Sequence, residues 1–378
     1  MLDTLTHWSL SAPSARWLAV TDLACLLGAL LALVAALDHG RRARSDNPAQ
    51  APRSPLARLA TLLMVVATVT ILVSVFCRWR EVNHFPSQTM GEVIVMFSVG
   101  LLLSMLVLHW ALGIFQRGPG WAVIDDLLIA MVLVGVYYSD AHAGSLSSAQ
   151  RDLPPALQSY WFAPHIVALI FSYATMGIAA LICLVFFCLR FWSGVFLGGQ
   201  TRTSQWLILL GLVLVPFSQV ITLPIFLLSA PVFLWLAKSA RLPGAQALGR
   251  LEKELDEISF RAFAVGFPFL TAGLWMGAFW AQEAWANYWG WDSKENSALI
   301  TWLVYVLYLH LRMLGRYRGE RAMAVLMAGA LSVFITFQVF GYLPDSQKSL
   351  HRYTDDSVAP MEGQMTPGAA GTDSDEGN

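Results

Sequence analysis

Between Trp275 and Trp302 the chain reads WMGAFWAQEAWANYWGWDSKENSALITW, six tryptophans in 28 residues. The polar run Asp292-Ser293-Lys294-Glu295-Asn296 stands there between two apolar stretches. Tryptophan at a membrane surface ordinarily anchors a helix in the headgroup layer. Such a belt accounts for two or three of these residues, not for a dense group beside a charged loop. A slab of indole rings (Trp275, Trp280, Trp285, Trp289, Trp291, Trp302) next to a few charges suits a large, flat, apolar ligand with polar edges. Porphyrin is such a ligand.

Neutral imidazole is a common axial ligand of haem iron, so the eight histidines are read by depth. His165 opens an apolar run directly after Tyr160-Trp161-Phe162-Ala163-Pro164, and His351 follows the last apolar run in Leu350-His351-Arg352. Both are expected on the membrane face that carries the Trp-rich loop, where they would supply an axial ligand to each face of a haem. His310 lies 13 residues beyond Ser297, about 20 Å deeper at 1.5 Å per residue. That is the inner third of a hydrocarbon core about 30 Å thick. An ionisable residue at such depth is a functional candidate by default; the plainer alternative is a hydrogen bond to a neighbouring helix. His84, in Asn83-His84-Phe85-Pro86, is expected to line the outer pocket. His109, beside Trp110, reads as interfacial or as a partner for His310. His7, His39 and His142 read as solvated, and Asp22, Asp125 and Asp126 as span-end residues reaching the headgroups.

These residues need a scaffold, and composition says which kind. The chain is 56% hydrophobic and 13% charged, with a mean hydropathy of +0.56, against about 25% charged residues in soluble domains. An all-α polytopic membrane protein follows, and no nucleic-acid partner is expected. Runs long enough to cross a bilayer are Trp17–Leu37, Leu59–Cys77, Val93–Leu112, Trp121–Tyr138, His165–Phe191, Phe263–Glu283, Ser297–Leu314 and Met323–Tyr342, about eight transmembrane helices within a bundle spanning 17–343. The stretch Trp206–Ala237, broken by Pro216, Pro224 and Pro231, reads as a re-entrant or interfacial hairpin. Arginines cluster after the first and seventh runs (Arg41, Arg42, Arg44, Arg53, Arg58; Arg312, Arg316, Arg318, Arg321), which puts those loops in the cytoplasm. Both termini (1–16 and the acidic tail 344–378) and the Trp-rich loop 284–296 then lie outside. Leu248, Leu251, Leu255, Ile258 and Ala262 recur among charges, predicting a cytoplasmic amphipathic helix over 246–262. The four cysteines form neither CxxC nor CxxCH, which disfavours thiol–disulfide exchange and a haem attachment site of the chain's own. The first sixteen residues lack the pattern of a cleavable signal.

The run Trp285-Ala-Asn-Tyr-Trp-Gly-Trp-Asp-Ser-Lys-Glu295, followed by Ala298-Leu-Ile-Thr-Trp-Leu303 and Tyr308-Leu-His310-Leu-Arg312, resembles the "WWD" signature of haem-handling proteins. Within that superfamily the chain is most similar to the CcsA (ResC) cytochrome c biogenesis proteins. Asn83-His-Phe-Pro86, Ser172-Tyr-Ala174 after His165, and Leu350-His351 agree with it. The resemblance implies a bacterial cytoplasmic-membrane subunit of a system II cytochrome c synthase, paired with a CcsB (ResB) partner. Heme b, as transported substrate, would enter near His310, whose second ligand the partner supplies. It would move to a periplasmic site of the WWD loop (Trp285, Trp289, Trp291, Asp292) flanked by His165 and His351. Its vinyl groups would there meet the cysteines of an apocytochrome CxxCH motif, and two thioether bonds form. Where the family usually has Trp-Gly this chain has Trp285-Ala286, and where it has Asp-Pro-Lys-Glu-Thr-Trp this chain has Asp292-Ser-Lys-Glu-Asn-Ser297. Two other readings stand beside this one: a haem exporter or chaperone without ligation chemistry, and a b-type electron carrier using His310 and His109.

On either haem reading, aromatic contacts add about 0.5–1.5 kcal/mol each beyond burial. Lys294 or Arg352 would meet a propionate, and Asp292 and Glu295 would hold the loop or orient a ligand imidazole. Holding thiols beside vinyl groups would supply much of any acceleration.

Overall fold

The computed structural model describes residues 12–42, 54–111, 113, 119–146, 154–197, 244–315 and 317–336. The expectations for His7, His351, Arg352, the 206–237 hairpin and the 344–378 tail lie outside these residues.

Among the described residues the chain forms helices α1 (Pro13–Arg42), α2 (Pro55–Val82), α3 (Met90–Ala111), α4 (Pro119–Leu146), α5 (Phe162–Leu197), α6 (Gly244–Trp285), α7 (Ser293–Met313) and α8 (Glu320–Phe334), plus a 3-10 turn, Pro155–Leu157, before α5. Proline within the first turns of α1, α2 and α4 costs no hydrogen bond, because those N–H groups have no partner inside a helix. Six helices, α1 to α6, are long and apolar enough to cross a membrane. The chain is thus a multi-pass membrane protein. The other two expected spans are present as helices that fall short of that measure. α7 opens on Ser293-Lys-Glu-Asn296 and carries Tyr, His and Arg further on, and α8 is 15 residues long as described. The predicted amphipathic segment and the sixth predicted span form a single 42-residue helix, α6, whose first turns carry the charges.

The pairs α1–α2, α1–α4, α3–α4, α5–α6 and α7–α8 run antiparallel. α1 lies on α2 and α4, α3 on α4 and α5, α5 on α6, and α8 on α7 and α5. The α5–α6 seam is stepped with glycine: a Cβ at Gly266, Gly273 or Gly277 would meet Met176, Leu169 or His165 at 2.9, 2.6 and 2.7 Å. Lipid tails are as apolar as leucine, so helices in a membrane associate through close backbone approach, which small residues four apart permit.

Polar side chains gather at the two ends of the bundle. At the end that carries the Trp-rich loop, Glu81 accepts from Ser14, and Arg78 pairs with Glu92 at 3.0 Å. At the opposite end Arg190 pairs with Glu320 at 3.1 Å, and Arg312 with Asp256. Three expectations are corrected there. His39 is not solvated: it is 4% exposed, donating from Nδ1 to Asp126 at 2.6 Å and accepting the Ser54 N–H on Nε2 at 3.0 Å. His109 is fully buried, not interfacial, with Nδ1 2.9 Å from Asp125. Asp125 and Asp126 therefore do not reach for headgroups. They sit in the second turn of α4, and each ties a histidine from another helix to α4.

Candidate functional site

α5 begins where the 3-10 turn Pro155–Leu157 hands the chain to Tyr160-Trp161, and His165 stands in its first turn. Its side chain lies across the α5–α6 seam. Nδ1 donates to the carbonyl of Gly273, 2.7 Å away. A carbonyl oxygen is only an acceptor, so the proton is on Nδ1 and the basic lone pair on Nε2. A backbone carbonyl fixing the tautomer in this way is the usual support of a metal-binding imidazole. The ring stacks on Trp280 with centroids 5.6 Å apart. It occupies the space that Gly277 leaves, since a Cβ there would come within 2.7 Å of its Cε1. Trp280 is in turn immobilised: it is 4% exposed, donates Nε1–H to the Ala156 carbonyl at 2.7 Å, and packs on Phe162 and Trp285.

The loop after α6 is short and closely tied. Ala286 leaves the helix at φ +55°, with its N–H on the Gln282 carbonyl, and Trp291 turns the chain again at φ +57°. Asp292 then caps α7, forming a reciprocal box with Glu295. Asp292 Oδ1 accepts the Lys294 N–H at 2.7 Å, and Glu295 Oε2 accepts from the N–H groups of Gly290 (2.8 Å) and Asp292 (3.1 Å). The Asn296 amide donates to the Trp291 carbonyl at 2.9 Å. The charged run is thus a clamp on the loop backbone. It satisfies N–H groups that a helix start leaves without partners.

The six tryptophans do not form one slab. Trp280 is core. Trp302 donates to Thr271 Oγ1 at 3.1 Å and stacks on Phe267, bracing α7 against α6. Trp289 and Trp291 meet edge to face at 6.1 Å. Trp291 and Trp275 are 70% and 68% exposed. The Nε1–H of Trp289 is enclosed without an acceptor. Beside them runs a row that was not singled out in the sequence: Trp161 on Phe279 (4.8 Å) and Phe279 on Tyr288 (6.3 Å), all three open to the outside. The signal for it was available, because Trp275 and Phe279 are four apart on one helix face and Trp161 precedes His165.

The remaining candidates divide. His84 stays in the α2–α3 turn at the same end of the bundle, with Nδ1 on the Phe85 carbonyl at 3.0 Å. His310 is in the last turn of α7, exposed, and donates Nδ1–H to the Val306 carbonyl at 2.8 Å. It therefore carries its lone pair on Nε2, like His165. It shares a stripe with Ile300, Leu303, Leu307 and Leu314, all at least half exposed. The opposite face of α7, with Thr301, Tyr305, Tyr308 and Arg312, is buried. His310 opens away from the bundle while His109 is enclosed against Asp125, so the pair required by a b-type carrier does not form.

The family model described as "Cytochrome C assembly protein" matches residues 58–344. Among curated proteins, the chain is 30% identical over 298 residues to the cytochrome c biogenesis protein CcsA of Cyanophora paradoxa, covering 77% of this chain and 85% of that one. It is 30% identical over 315 residues to CcsA of Synechococcus sp. (strain JA-3-3Ab), covering 79% and 86%. With CcsA of Gloeobacter violaceus it shares 28% over 318 residues, covering 79% and 87%.

Proposed function

The chain belongs to the cytochrome c assembly protein family, with a role in cytochrome c maturation, and from this premise we propose that it moves haem across the membrane and presents it for covalent attachment. The substrate is heme b, the acceptor an apocytochrome c carrying CxxCH, and the assembly a system II synthase with a CcsB/ResB-type partner in the bacterial cytoplasmic membrane. The WWD loop and His165 face the periplasm. His165 and His351 are the two axial ligands at the loop, and His310 is the ligand at the inner loading site.

The seat of His165 carries this reading. Its tautomer and direction are set by Gly273, Gly277 and Trp280, and the same helix runs on into the loop at Trp285. The exposed rings Trp291, Tyr288, Phe279 and Trp161 suit a porphyrin face, and the enclosed Trp289 Nε1–H suits a propionate oxygen. The exposed stripe around His310 suits a partner helix that brings the second inner ligand. At the outer site each cysteine S–H adds across a vinyl group. The sulfur bonds one vinyl carbon, the proton ends on the other, and nothing is oxidised or reduced. This chain's part is to hold the thiols and vinyls together, the source of large effective molarities.

The absorption spectrum of the purified protein with its partner tests this, for wild type, His165→Ala, His351→Ala and His310→Ala. Bound haem is expected to be six-coordinate and low-spin, to weaken in the first two variants and to recover with added imidazole. His310→Ala is expected to lower haem loading without changing the spectral type. Haem indifferent to His165 and His351 would sink the presentation reading.

A further inference from the structure

Glu283 stands in the last turn of α6, which ends at Trp285. A carboxylate there meets the negative end of the helix macrodipole, a place that favours a cation. Glu283 is exposed, and among the described residues no lysine or arginine pairs with it. Its hydrogen-bond donor is Ser159 Oγ, in the segment that leads into α5. Ser159 Oγ in turn accepts the Trp161 N–H at 3.1 Å. The Trp161 ring lies on Phe279, one turn before Glu283 on α6, with centroids 4.8 Å apart. Trp280, three residues before Glu283, is the ring on which His165 stacks. The carboxylate is thus tied beside both the imidazole seat and the aromatic row, at the end of the row where Trp161 lies.

Lys294 shows the opposite anomaly. It is the second residue of α7 and exposed, at the positive helix terminus, where a carboxylate is favoured. The enclosed Nε1–H of Trp289 belongs to the same side of the loop, next to Tyr288 at the other end of the row. The carboxylates of Asp292 and Glu295 are engaged there by loop N–H groups. The turn from α6 into α7 therefore presents an acid where one helix ends and hydrogen-bond donors where the next begins. Two charges set against the preference of their own helices point to a role other than stability.

Haem is asymmetric in charge. Both propionates leave one edge of the ring, and both vinyl groups lie on the other half. Carboxylates repel one another, more strongly at a partly buried site than in water. A haem on this row has one favourable direction, with its propionates toward Trp289 and Lys294 and its vinyl groups toward Glu283. We propose that Glu283 sets the direction of the haem within its own plane, by turning the propionate edge away from the end of α6. The proposal rests on the reading that haem lies at the Trp-rich loop, and it assigns a residue to the choice of which edge is offered for attachment.

Resonance Raman spectra of the haem-loaded protein with its partner test this, because vinyl and propionate bending modes give separate bands. Glu283→Gln keeps an acceptor for Ser159 and removes the charge, whereas Ser159→Ala keeps the charge and removes the tether. Glu283→Gln and Glu283→Lys are expected to split or shift the vinyl band while the low-spin type is unchanged. Ser159→Ala is expected to leave both bands in place. Transfer of preloaded haem to a CxxCH peptide should fall about tenfold in Glu283→Lys, the scale of a close charge reversal. Haem dimethyl ester, whose propionates are neutral, should be transferred equally by wild type and Glu283→Lys. If the variants fail to assemble, the ester on wild-type protein decides, with a split or shifted vinyl band expected. Low-spin haem with unmoved bands in both Glu283 variants overturns the proposal. So does a change confined to the propionate band, which would put a propionate at Glu283, or an equal change in Ser159→Ala, which would make the tether the cause. Bound haem that is indifferent to His165 in the same preparations sinks the site reading itself, and the proposal with it.

Discussion

Gly273 receives the Nδ1–H of His165 on its carbonyl at 2.7 Å, and four residues later Gly277 leaves the space that the imidazole ring fills. One pair of glycines on α6 thus sets both the tautomer and the position of a histidine on α5. The helix that does this ends at Trp285, so the imidazole and the Trp-rich loop share a rigid support. A ligand held by both would meet a preformed geometry.

Gly277→Ala would place a methyl 2.7 Å from His165 Cε1 and 2.9 Å from Nδ1. Overpacking of this kind costs about 1–3 kcal/mol, and the ring must leave its seat. The low-spin haem spectrum is expected to weaken as in His165→Ala and to recover with imidazole. An unchanged spectrum in a folded variant would show that this seat does not position an axial ligand.

Asp292 and Glu295 act on the loop backbone, so their loss should register first in loop order. Asp292→Ala removes a helix cap, worth about 1 kcal/mol, and Glu295→Ala frees the N–H groups of Gly290 and Asp292. Both variants are expected to gain protease cleavage between Trp285 and Asp292 at near-native melting temperature. Glu295→Gln keeps an acceptor and should resemble wild type. Equal protection in all three would refute the clamp.

Two departures from the family pattern fall at positions where the family residue fits better. Ala286 stands at φ +55°, a conformation glycine adopts without strain. Ser293 is the first residue of α7, where proline is favoured, and its hydroxyl is enclosed without a partner. Ala286→Gly and Ser293→Pro are each expected to stabilise by about 0.5–1 kcal/mol, read as a higher melting temperature in detergent. A lower melting temperature for Ala286→Gly would mean that the φ strain is not the governing term.

Arg312 lies beneath Phe260, 4.7 Å from its ring centroid, and pairs with Asp256; both side chains are 5% exposed. Removing one partner of a buried pair costs about 3–5 kcal/mol. Arg312→Met should therefore lower thermal stability sharply, and Asp256→Leu added to it should restore most of the loss. If the double variant is no better than the single, the pair is not what joins α6 to α7.

Much was readable along the chain. The apolar runs marked α1 to α6 because a bilayer core demands about 20 residues whatever their neighbours, while α7 and α8 form as helices short of that measure. The WWD run could be recognised because its residues are contiguous. The cap was foreshadowed by Asp292 and Glu295 three apart, a spacing that works within one helix turn. The periodicity of α6 was visible too, though not that its charged and apolar parts form one helix.

Contacts across helices are of another kind. His39, His109, Asp125 and Asp126 each lie near the end of their own run, where sequence alone suggests water or headgroups, and only the packing of α1 and α3 on α4 encloses them in pairs. Trp280 and Trp302 read like Trp291, yet two are braces and one is exposed, a difference made by which face of α6 or α7 each occupies. Gly273 gives no hint of a histidine 108 residues away, nor does Gly277. Sequence periodicity reports on contacts within a helix, and so it determined the spans, the loop cap and the family signature. Which side chains meet across helices depends on rotation and approach distance. Those were decided by tertiary packing, and with them the seat of His165 and the outward turn of His310.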